Sequence, residues 1–513
     1  MSNRMSNRVS LLLPCLFCVS LVMAQEKGFL FTYVDANHSW FARDAMETDV
    51  GNIIIGAKDD WGNEARLLKL SPDGRLLTEL PIIARDTAVL ISRLLYMPNE
   101  NYGDYVAFCP CHPLDGSKAA LLFIRFDSDL NVLIRKVVSC PFVEFGDRFF
   151  DGKVVTKGDT IVATFTIEQE IGPWGPTFLT LINKDGDFIY YQRCDRISTV
   201  CNLFCYDDDG IRIGLFGKLP GNEHRMGILT FDEALSLLSC DTLSQWQAPE
   251  GSNGDFINYS IVDFINSQTL PLLDATIVVS AKLSETLCHQ NGAPSNNDDC
   301  STVLAKFNTN EDVPIRWLIT EHMNDSIEEP AFFRSVDVRQ NDDSGCVIFQ
   351  SVNLNIHPQM GPLQPYPTGI VVTKTDQDLN VEWKKRFLRD RNYQAMTINA
   401  TADGGCLVVG SIGDHQAQRF DVFALKINAD GTVGLDEIQE ESMTFVYPNP
   451  AREAINIGGV EAEETVVYNT LGQCIMSFWG NEANVEALVA GVYLLKITAK
   501  DGQTQITRFI VDK

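Results

Sequence analysis

One pattern of apolar and polar residues recurs seven times between residues 30 and 440. In each unit an apolar, β-branched segment leads, and a polar gap and two further apolar segments follow. The leading segments begin near residues 52, 104, 159, 210, 275, 345 and 405. Short apolar runs bounded by Gly, Asn and Asp predict strands, and almost no segment shows a helical period. Units of about fifty residues cannot bury their apolar faces alone, so they have to pack on one another.

The last two strands of each unit are predicted to form a hairpin. In "KLSPDGRLL" and "LINKDGDFI" an Asp-Gly step, ending at Gly74 and Gly186, supplies the positive-φ residue that a tight turn needs. The segment "DEALSLL" from Asp232 lacks this glycine and departs from the pattern.

Seven strand-rich units of this length predict an all-β protein with a seven-bladed β-propeller of four-stranded blades. Six or eight blades are the alternatives. A β-solenoid would need shorter rungs, and separate sandwich domains would need about 100 residues each. The segment "GFLFTYVDA", residues 28–36, is predicted to add the outer strand of the closing blade, which would hide the open sheet edges.

The N-terminus has the features of a secretory signal peptide over residues 1–24. Arg4 and Arg8 precede an apolar run at residues 11–22, and small residues end at Ala24. This run is shorter than the ~20 residues that span a bilayer, so no transmembrane segment is expected.

The chain has a net charge of −27, and a surface this acidic repels nucleic acid and anionic lipid. Of its 14 cysteines, 12 would remain after signal cleavage, and export permits disulfides. Cys288 and Cys300 are the predicted pair. The sequence Cys109-Pro110-Cys111-His112 has no second pair of ligands, so a strand end or a disulfide is favoured over a metal site.

The composition changes after Ser442, where "FVYPNPAREAINI" opens a new series of short strands. Pro448 and Pro450 remove two backbone donors, which places this opening at a sheet edge or a turn. We therefore predict a propeller over residues 25–436, a linker over 437–444 and a small β-sandwich over 445–513.

Two resemblances follow from these motifs. "TADGGCLVVGSIG" with "FALKINADGTV" resembles the degenerate propeller repeats of exported Bacteroidota proteins. The motifs "YPNP", "VYNTLGQ" and "LVAGVYLLKI…RFIVDK" resemble, in that order, the C-terminal sorting domain of type IX secretion cargo. Asn469 stands where the family usually has Asp, and Arg508 where it usually has Lys. The resemblance points to these sorting-signal residues: Tyr447, Pro448, Asn449, Pro450, Gly472, Gly491, Tyr493 and Arg508.

The sorting resemblance implies passage through the periplasm, recognition by the type IX machinery at the outer membrane, and release or attachment at the cell surface. It also implies that the domain is typically cleaved from the cargo, here in the linker before Phe445.

The propeller sequence carries no recognised catalytic motif, and we predict no catalytic residue, metal or cofactor. Three functions stay open: a module that binds a glycan or protein ligand, a hydrolase or lyase, and a structural component of the envelope. The acidic candidates for catalysis are Glu168, Glu170, Asp263 and Glu328. The tryptophans between the strands could line a glycan-binding face, but core packing or contact between blades is favoured for them: Trp40, Trp61, Trp174 and Trp246. We predict the binding module.

Overall fold

The computed structural model describes residues 28–511 except 36–37, 60–63, 84–86, 98–104, 114–117, 145–147, 169–175, 198, 207–211, 219–225, 244–245, 248–255, 272–275, 289–298, 309–315, 323–329, 332–335, 342–344, 355–367, 389–390, 415–417, 434–444, 448–450, 459–461, 470–471 and 500–503. The predicted signal peptide and linker therefore lie outside the described residues. The described part contains strands and no helix, and thus no helix that could cross a membrane.

The strands that precede residue 434 share antiparallel pairing and lengths of two to sixteen residues. In chain order they are β1 (Phe29–Tyr33), β2 (Trp40–Glu47), β3 (Ile53–Asp59), β4 (Glu64–Leu70), β5 (Leu76–Ile83), β6 (Thr87–Val89), β7 (Arg93–Tyr96), β8 (Tyr105–Pro113), β9 (Ala120–Phe126), β10 (Val132–Ser139), β11 (Arg148–Lys157), β12 (Thr160–Glu168), β13 (Thr177–Asn183), β14 (Phe188–Cys194), β15 (Thr199–Tyr206), β16 (Arg212–Lys218), β17 (Met226–Phe231), β18 (Leu237–Leu243), β19 (Trp246–Gln247), β20 (Phe256–Pro271), β21 (Thr276–Cys288), β22 (Asp299–Asn308), β23 (Arg316–His322), β24 (Pro330–Ala331), β25 (Val336–Asn341), β26 (Gly345–Leu354), β27 (Gly369–Asp376), β28 (Val381–Phe387), β29 (Asn392–Ala400), β30 (Cys406–Asp414) and β31 (Arg419–Ile427).

These strands form seven antiparallel sheets within the described ranges. The orders are β2-β3-β4-β5, β6-β8-β9-β10 with β7 also on β8, β11-β12-β13-β14, β15-β16-β17-β18, β19-β20-β21-β22-β23, β24-β26-β27-β28 with β25 also on β26, and β29-β30-β31-β1. Each leading segment of the sequence repeat corresponds to β3, β8, β12, β16, β21, β26 or β30. The repeat therefore predicted one sheet per unit correctly.

In each sheet, the strand that directly precedes the leading strand along the chain, here called the inner strand, contacts the inner strand of the next sheet. These contacts run from β2 to β7, β11, β15, β20, β25 and β29, and from β29 back to β2, so the sheets form a closed ring. A ring of antiparallel sheets whose inner strands surround one axis is the β-propeller architecture.

The ring closes through the N-terminal strand, as the sequence predicted. Strand β1 pairs with β31 from Phe29 opposite Lys426 to Tyr33 opposite Val422. Glu47 Oε2 accepts a hydrogen bond from the Ala402 amide at 2.6 Å, which joins the first sheet to the last. Gly28 lies so close to Val433 Cα that an added Cβ would be 2.9 Å away. The chain therefore enters and leaves the ring at neighbouring points.

The middle strands of the sheets are buried on both faces. Every side chain of β9 is buried, and all but the last of β27 and of β30 are buried as well. Neighbouring sheets cover both faces of such a strand, so its sequence is a continuous apolar run rather than an alternating one. Packing between sheets supplies most of the core.

The hairpin turns share one geometry although their sequences differ. In the glycine-containing turns, Gly74 and Gly186 have φ values of 83° and 84°, as the Asp-Gly steps predicted. Three other turns place a leucine at this position, Leu130, Leu235 and Leu379, with φ between 59° and 64°. The segment "DEALSLL" thus makes the same turn without a glycine.

These leucines are stable in a left-handed conformation because their side chains are buried. The conformation costs about 1–2 kcal/mol for a residue other than glycine. Full burial of a leucine side chain contributes about 1.5–3 kcal/mol. Leu235 is completely buried, and Leu130 and Leu379 are nearly so. Burial therefore outweighs the backbone strain.

The predicted disulfide between Cys288 and Cys300 is wrong in this strand register. Cys300 lies opposite Ser284 in the β21–β22 pair, four residues from Cys288 along the strand. Four residues of strand span about 13 Å, whereas a disulfide needs Cα atoms closer than about 7 Å. Cys109 and Cys111 are free and buried within β8, as the strand interpretation of that motif predicted.

The C-terminal strands form a small two-sheet sandwich. They are β32 (Phe445–Tyr447), β33 (Ala454–Gly458), β34 (Ala462–Asn469), β35 (Cys474–Trp479), β36 (Glu482–Asn484), β37 (Gly491–Ala499) and β38 (Thr504–Val511). One sheet has the order β32-β33-β36 and the other β35-β34-β37-β38. Ile455, Val467, Leu495 and Phe509 lie in the apolar core that the two sheets share.

Candidate functional site

The sorting-signal residues that the sequence predicted lie in different environments of the C-terminal sandwich. Tyr447 ends β32, and Pro448, Asn449 and Pro450 lie outside the described residues. Immediately after them, the Ala451 amide donates to the Ile510 carbonyl at 2.7 Å. Ala451 also forms an isolated parallel bridge with Val511. The opening of the domain is therefore attached to its last strand.

Tyr493 has a structural position in the core. Its side chain is buried, and its ring stacks on Phe509 with the centroids 5.6 Å apart. Its hydroxyl donates to the Val489 carbonyl at 2.7 Å, which satisfies the one polar atom of the side chain. A partner protein cannot reach this residue without opening the sandwich.

Gly472 and Asn469 form the turn between β34 and β35. Gly472 has a φ of 76°, and its amide donates to the Asn469 carbonyl at 3.0 Å. Asn469 Oδ1 accepts from the Gln473 amide at 3.0 Å. An aspartate carboxylate would accept the same bond, which explains why Asn replaces the usual Asp here.

Arg508 and Gly491 lie on the two strands that form the end of the larger sheet. Arg508 is exposed and lies opposite Leu494 in the β37–β38 pair. Gly491 begins β37 opposite Val511. Of the predicted residues whose side chains are described, Arg508 is therefore available to a partner, whereas Tyr493 is not.

Sequence reasoning missed three exposed aliphatic residues beside Arg508. Val492, Leu494 and Ile510 are 44%, 38% and 43% exposed. The sequence "GVYLLKITA" did not signal them, because Val492 to Leu495 form a continuous apolar run instead of the alternation that is typical of a half-buried strand. The sequence could not show which of the two faces the second sheet covers.

The propeller residues proposed for ligand binding are in part structural. Trp40 is completely buried, its Nε1 donates to Asp35 Oδ2 at 3.3 Å, and the Arg66 guanidinium lies 4.5 Å from its ring centroid. Trp40 is thus a core residue, the interpretation favoured over a glycan-binding face. Trp61 and Trp174, and the side chain of Trp246, lie outside the described part of the chain.

The acidic candidates Glu170 and Glu328 lie outside the described residues, and Glu168 and Asp263 are placed on β12 and β20 by their backbone alone. Among the side chains that the structure does describe, no three His, Cys, Asp or Glu residues come together as metal ligands. The candidate carboxylates are therefore not brought together by any described geometry.

Several aspartates with lowered pKa values belong to the turns of the propeller. Burial disfavours the charged form of Asp127, but hydrogen bonds from Asn131 and from the backbone outweigh it and lower its pKa. Asp376 has the same balance in an equivalent turn, with Asn380 as its partner. These perturbed groups act as turn caps, which is a structural role.

The pKa of Asp421 is raised instead of lowered. Burial raises its pKa, although Arg419 Nε lies 3.2 Å from its carboxylate and favours the charged form. Asp421 lies on β31, on the strand end that leads to residues 415–417.

Comparison with known proteins assigns the C-terminal sandwich. Residues 445–512 match the family described as "Secretion system C-terminal sorting domain". A curated relative, "Ulvan lyase NLR42" of Nonlabens ulvanivorans, is 28% identical over 94 residues, which cover 17% of this chain and 18% of that lyase.

Three solved structures are similar to about three quarters of the chain, with low TM-scores. A duf4221 family member from Bacteroides vulgatus has a TM-score of 0.35 and 8% identity, covering 78% of this chain and 96% of that one. The Neurospora crassa Pan2 WD40 domain has a TM-score of 0.33 and 10% identity, covering 77% of this chain and 98% of that one. The GH93 alpha-L-arabinofuranosidase of Fusarium graminearum has a TM-score of 0.33 and 8% identity, covering 79% of this chain and 98% of that one. The propeller architecture follows from the order of strands in the sheets and from the contacts that close the ring.

The chain therefore ends in a type IX sorting domain, and it is exported to the cell surface or secreted.

Proposed function

We propose that this protein is a cell-surface or secreted binding module whose propeller holds a glycan or protein ligand. The observation that supports this proposal is a difference between the two ends of the ring. In an antiparallel four-stranded sheet, the turn between the third and fourth strands lies at one end. The connection between the second and third strands lies at the other end, together with the link to the next sheet.

At the first end, the described turns between the third and fourth strands are short and uniform, whereas the seven residues 309–315 connect β22 to β23. Each of the uniform turns is a five-residue turn in which the amide of the first residue donates to the carbonyl of the fifth, and the carbonyl of the first accepts from the amide of the fourth. Such turns are found at residues 71–75, 127–131, 232–236 and 376–380. The connections at the other end differ in length, from four residues at 60–63 to fourteen at 355–368. A rigid scaffold that carries variable connections at one end is the usual arrangement of a loop-based binding site.

The test is a ligand screen with the whole mature chain on glycan and protein arrays, followed by two variants. In the first, residues 355–367 are replaced by four residues that include glycine. In the matched control, the turn at residues 71–75 is replaced by "NADGT", the turn sequence of residues 428–432. We expect at least a tenfold loss of affinity in the first variant and unchanged affinity in the second. Equal affinity in both variants, or no ligand on either array, would contradict the proposal.

A lyase is the second candidate, and the similarity to the ulvan lyase favours it. Incubation of the mature chain with ulvan, with the unsaturated ends of its fragments measured by ultraviolet absorbance, separates the two functions. Appearance of such ends at a rate proportional to protein concentration would replace the binding proposal with the lyase.

A further inference from the structure

The larger sheet of the sorting domain has one face that its own core does not cover. Along β37 the residues Tyr493, Leu495 and Ile497 point into the sandwich and are at most 8% exposed. Val492, Leu494 and Lys496 alternate with them and are exposed. Side chains of a strand alternate between the faces, so the exposed set shares the outer face.

Strand register brings the outer residues of three strands together. Val492 lies opposite Ile510, and Leu494 lies between Arg508 on β38 and Tyr468 on β34. Residues that face each other across strands have Cβ atoms about 4.5–5.5 Å apart. We name this surface the sorting face, and its members are Tyr468, Val492, Leu494, Lys496, Arg508 and Ile510.

The sorting face is apolar at the end where Val492 lies opposite Ile510. Three aliphatic side chains stand about two-fifths exposed beside one another, and Tyr468 is half-buried next to them. Burying an aliphatic side chain of this size contributes about 1.5–3 kcal/mol. A partner that covers all three would therefore gain several kcal/mol from desolvation.

The charge of the sorting face is opposite to that of the chain. The whole protein has a net charge of −27, yet β37 and β38 contain Lys496 and Arg508 and no Asp or Glu. Lys496 and Arg508 lie next to each other at one end of the apolar residues, and they complement a partner surface with apolar side chains and carboxylates. The acidic remainder of the chain would be repelled by such a surface, which fixes the orientation of docking.

We infer that the sorting face is the surface through which the secretion machinery recognises this cargo, and that the machinery presents an apolar patch with carboxylates at one end. The domain matches a family described by its sorting role, and its opposite face is filled by the shared core. The sorting face is thus an accessible apolar surface of the larger sheet, to which Trp479 of β35 adds a further exposed apolar side chain.

The test measures export of the full-length chain in a bacterium with a type IX system. The first variant combines Val492→Thr, Leu494→Thr and Ile510→Thr, which keep β propensity and remove apolar surface. The second combines Lys496→Glu and Arg508→Glu. The control is Val489→Thr, since Val489 is 75% exposed but lies outside the sorting face. Immunoblots give the ratio of surface and medium protein to periplasmic protein.

We expect this ratio to fall at least tenfold in both multiple variants, with the chain retained in the periplasm, and to be unchanged in Val489→Thr. The pair Lys496→Arg and Arg508→Lys should restore export. Thermal unfolding of each purified chain shows whether it is folded. If the apolar variant does not fold, the charge variant alone tests the inference. Export of both multiple variants at the level of the original chain would overturn the inference.

Two further outcomes would also overturn it. If sedimentation shows that the original chain is a dimer which the apolar variant dissociates, the sorting face is an interface between copies. If a chain lacking residues 445–513 is exported normally, recognition does not use this domain at all.

Discussion

The propeller and the sorting domain are both built from antiparallel strands, but they bury those strands differently. All seven side chains of β9 are buried, because a neighbouring sheet covers each face. Along β37 buried and exposed side chains alternate. A strand inside the ring is thus covered on both faces, whereas β37 belongs to a sheet that its own domain covers on one face only.

This difference matches the two roles proposed for the chain. Ring packing uses both faces of the middle strands, so the propeller can offer a ligand its ends and its outer rim. The sorting domain keeps one sheet face accessible, and a partner can bind there without disturbing the core. The following substitutions test this contrast, beginning with the largest expected effect.

Truncation should be costly in the ring and nearly neutral on the sorting face. Phe123 is completely buried, in the same apolar cluster as Phe165 of the next sheet and beside the turn at Gly186. Phe123→Ala should therefore lower the free energy of unfolding by about 3–5 kcal/mol. Leu494→Ala, on the exposed face, should change it by less than about 0.5 kcal/mol. Chemical denaturation, fitted as two transitions for two domains, gives both values. Equal losses of stability in the two variants would contradict the proposed difference in burial between the ring and the sorting face.

Glycines in equivalent turns should differ for the same reason. A Cβ on Gly186 would lie 2.6 Å from the Phe123 ring, whereas a Cβ on Gly472 would meet no atom within 4 Å. Both have positive φ, so each alanine variant costs about 1–2 kcal/mol of backbone strain. Overpacking adds about 1–3 kcal/mol at Gly186 alone. The midpoints of denaturation of the two variants measure this difference, and a Gly472→Ala variant as unstable as Gly186→Ala would contradict it.

Much of the ring could be predicted from sequence because its signals are local. Apolar runs located β3, β8, β12 and the later equivalents, and Asp-Gly steps located two turns. The leucine turns could not be predicted, since local preference opposes a leucine with positive φ and the compensating burial comes from distant residues. The Cys288–Cys300 prediction failed because spacing along the chain does not give strand register.

Less of the candidate site in the sorting domain than of the ring could be predicted from the sequence. Family motifs pointed to Arg508, which is exposed, and also to Tyr493, which the fold places in the core. Motifs retain residues that shape a domain as well as those that contact a partner. The sorting face becomes visible only when the second sheet shows which side of β37 is covered.

A buried ion pair should make the ring sensitive to acid. Burial opposes ionisation of Asp403, but hydrogen bonds from Lys426 and Thr401 outweigh it and lower its pKa. Lys426 is almost completely buried, with its Nζ 2.6 Å from Asp403 Oδ2. A carboxyl with a lowered pKa stabilises the folded state above its unfolded pKa of about 3.9, and this contribution is lost as pH falls through the lower folded value.

Asp403→Asn should therefore destabilise the propeller by about 1–3 kcal/mol at neutral pH, since the buried ammonium loses a charged acceptor. The difference between the variant and the original chain should shrink as pH falls below about 4. Unfolding measured over a pH series checks this. A difference that stays constant across the series would show that the charge of Asp403 is not involved.

The smallest effect is expected at the turn of the sorting domain. Asn469→Asp retains the acceptor for the Gln473 amide and should change stability by less than about 0.5 kcal/mol. Asn469→Ala removes the acceptor and should cost about 1 kcal/mol. Thermal unfolding of the two variants distinguishes them, and a loss of stability in Asn469→Asp equal to that in Asn469→Ala would rule out the role of the shared acceptor.

Closure of the ring by its N-terminal strand is tested most directly by a cross-link between β1 and β31. Phe31 and Ala424 are opposite each other in the pair, so Phe31→Cys with Ala424→Cys should form a disulfide. Val409 lies one strand further, about 10 Å from Phe31, so Phe31→Cys with Val409→Cys is the control. Mass spectrometry of the digested, unreduced chain should show a peptide joined through residues 31 and 424, and no peptide joined through 31 and 409. Absence of the first linkage in the folded, oxidised chain would contradict a closed ring.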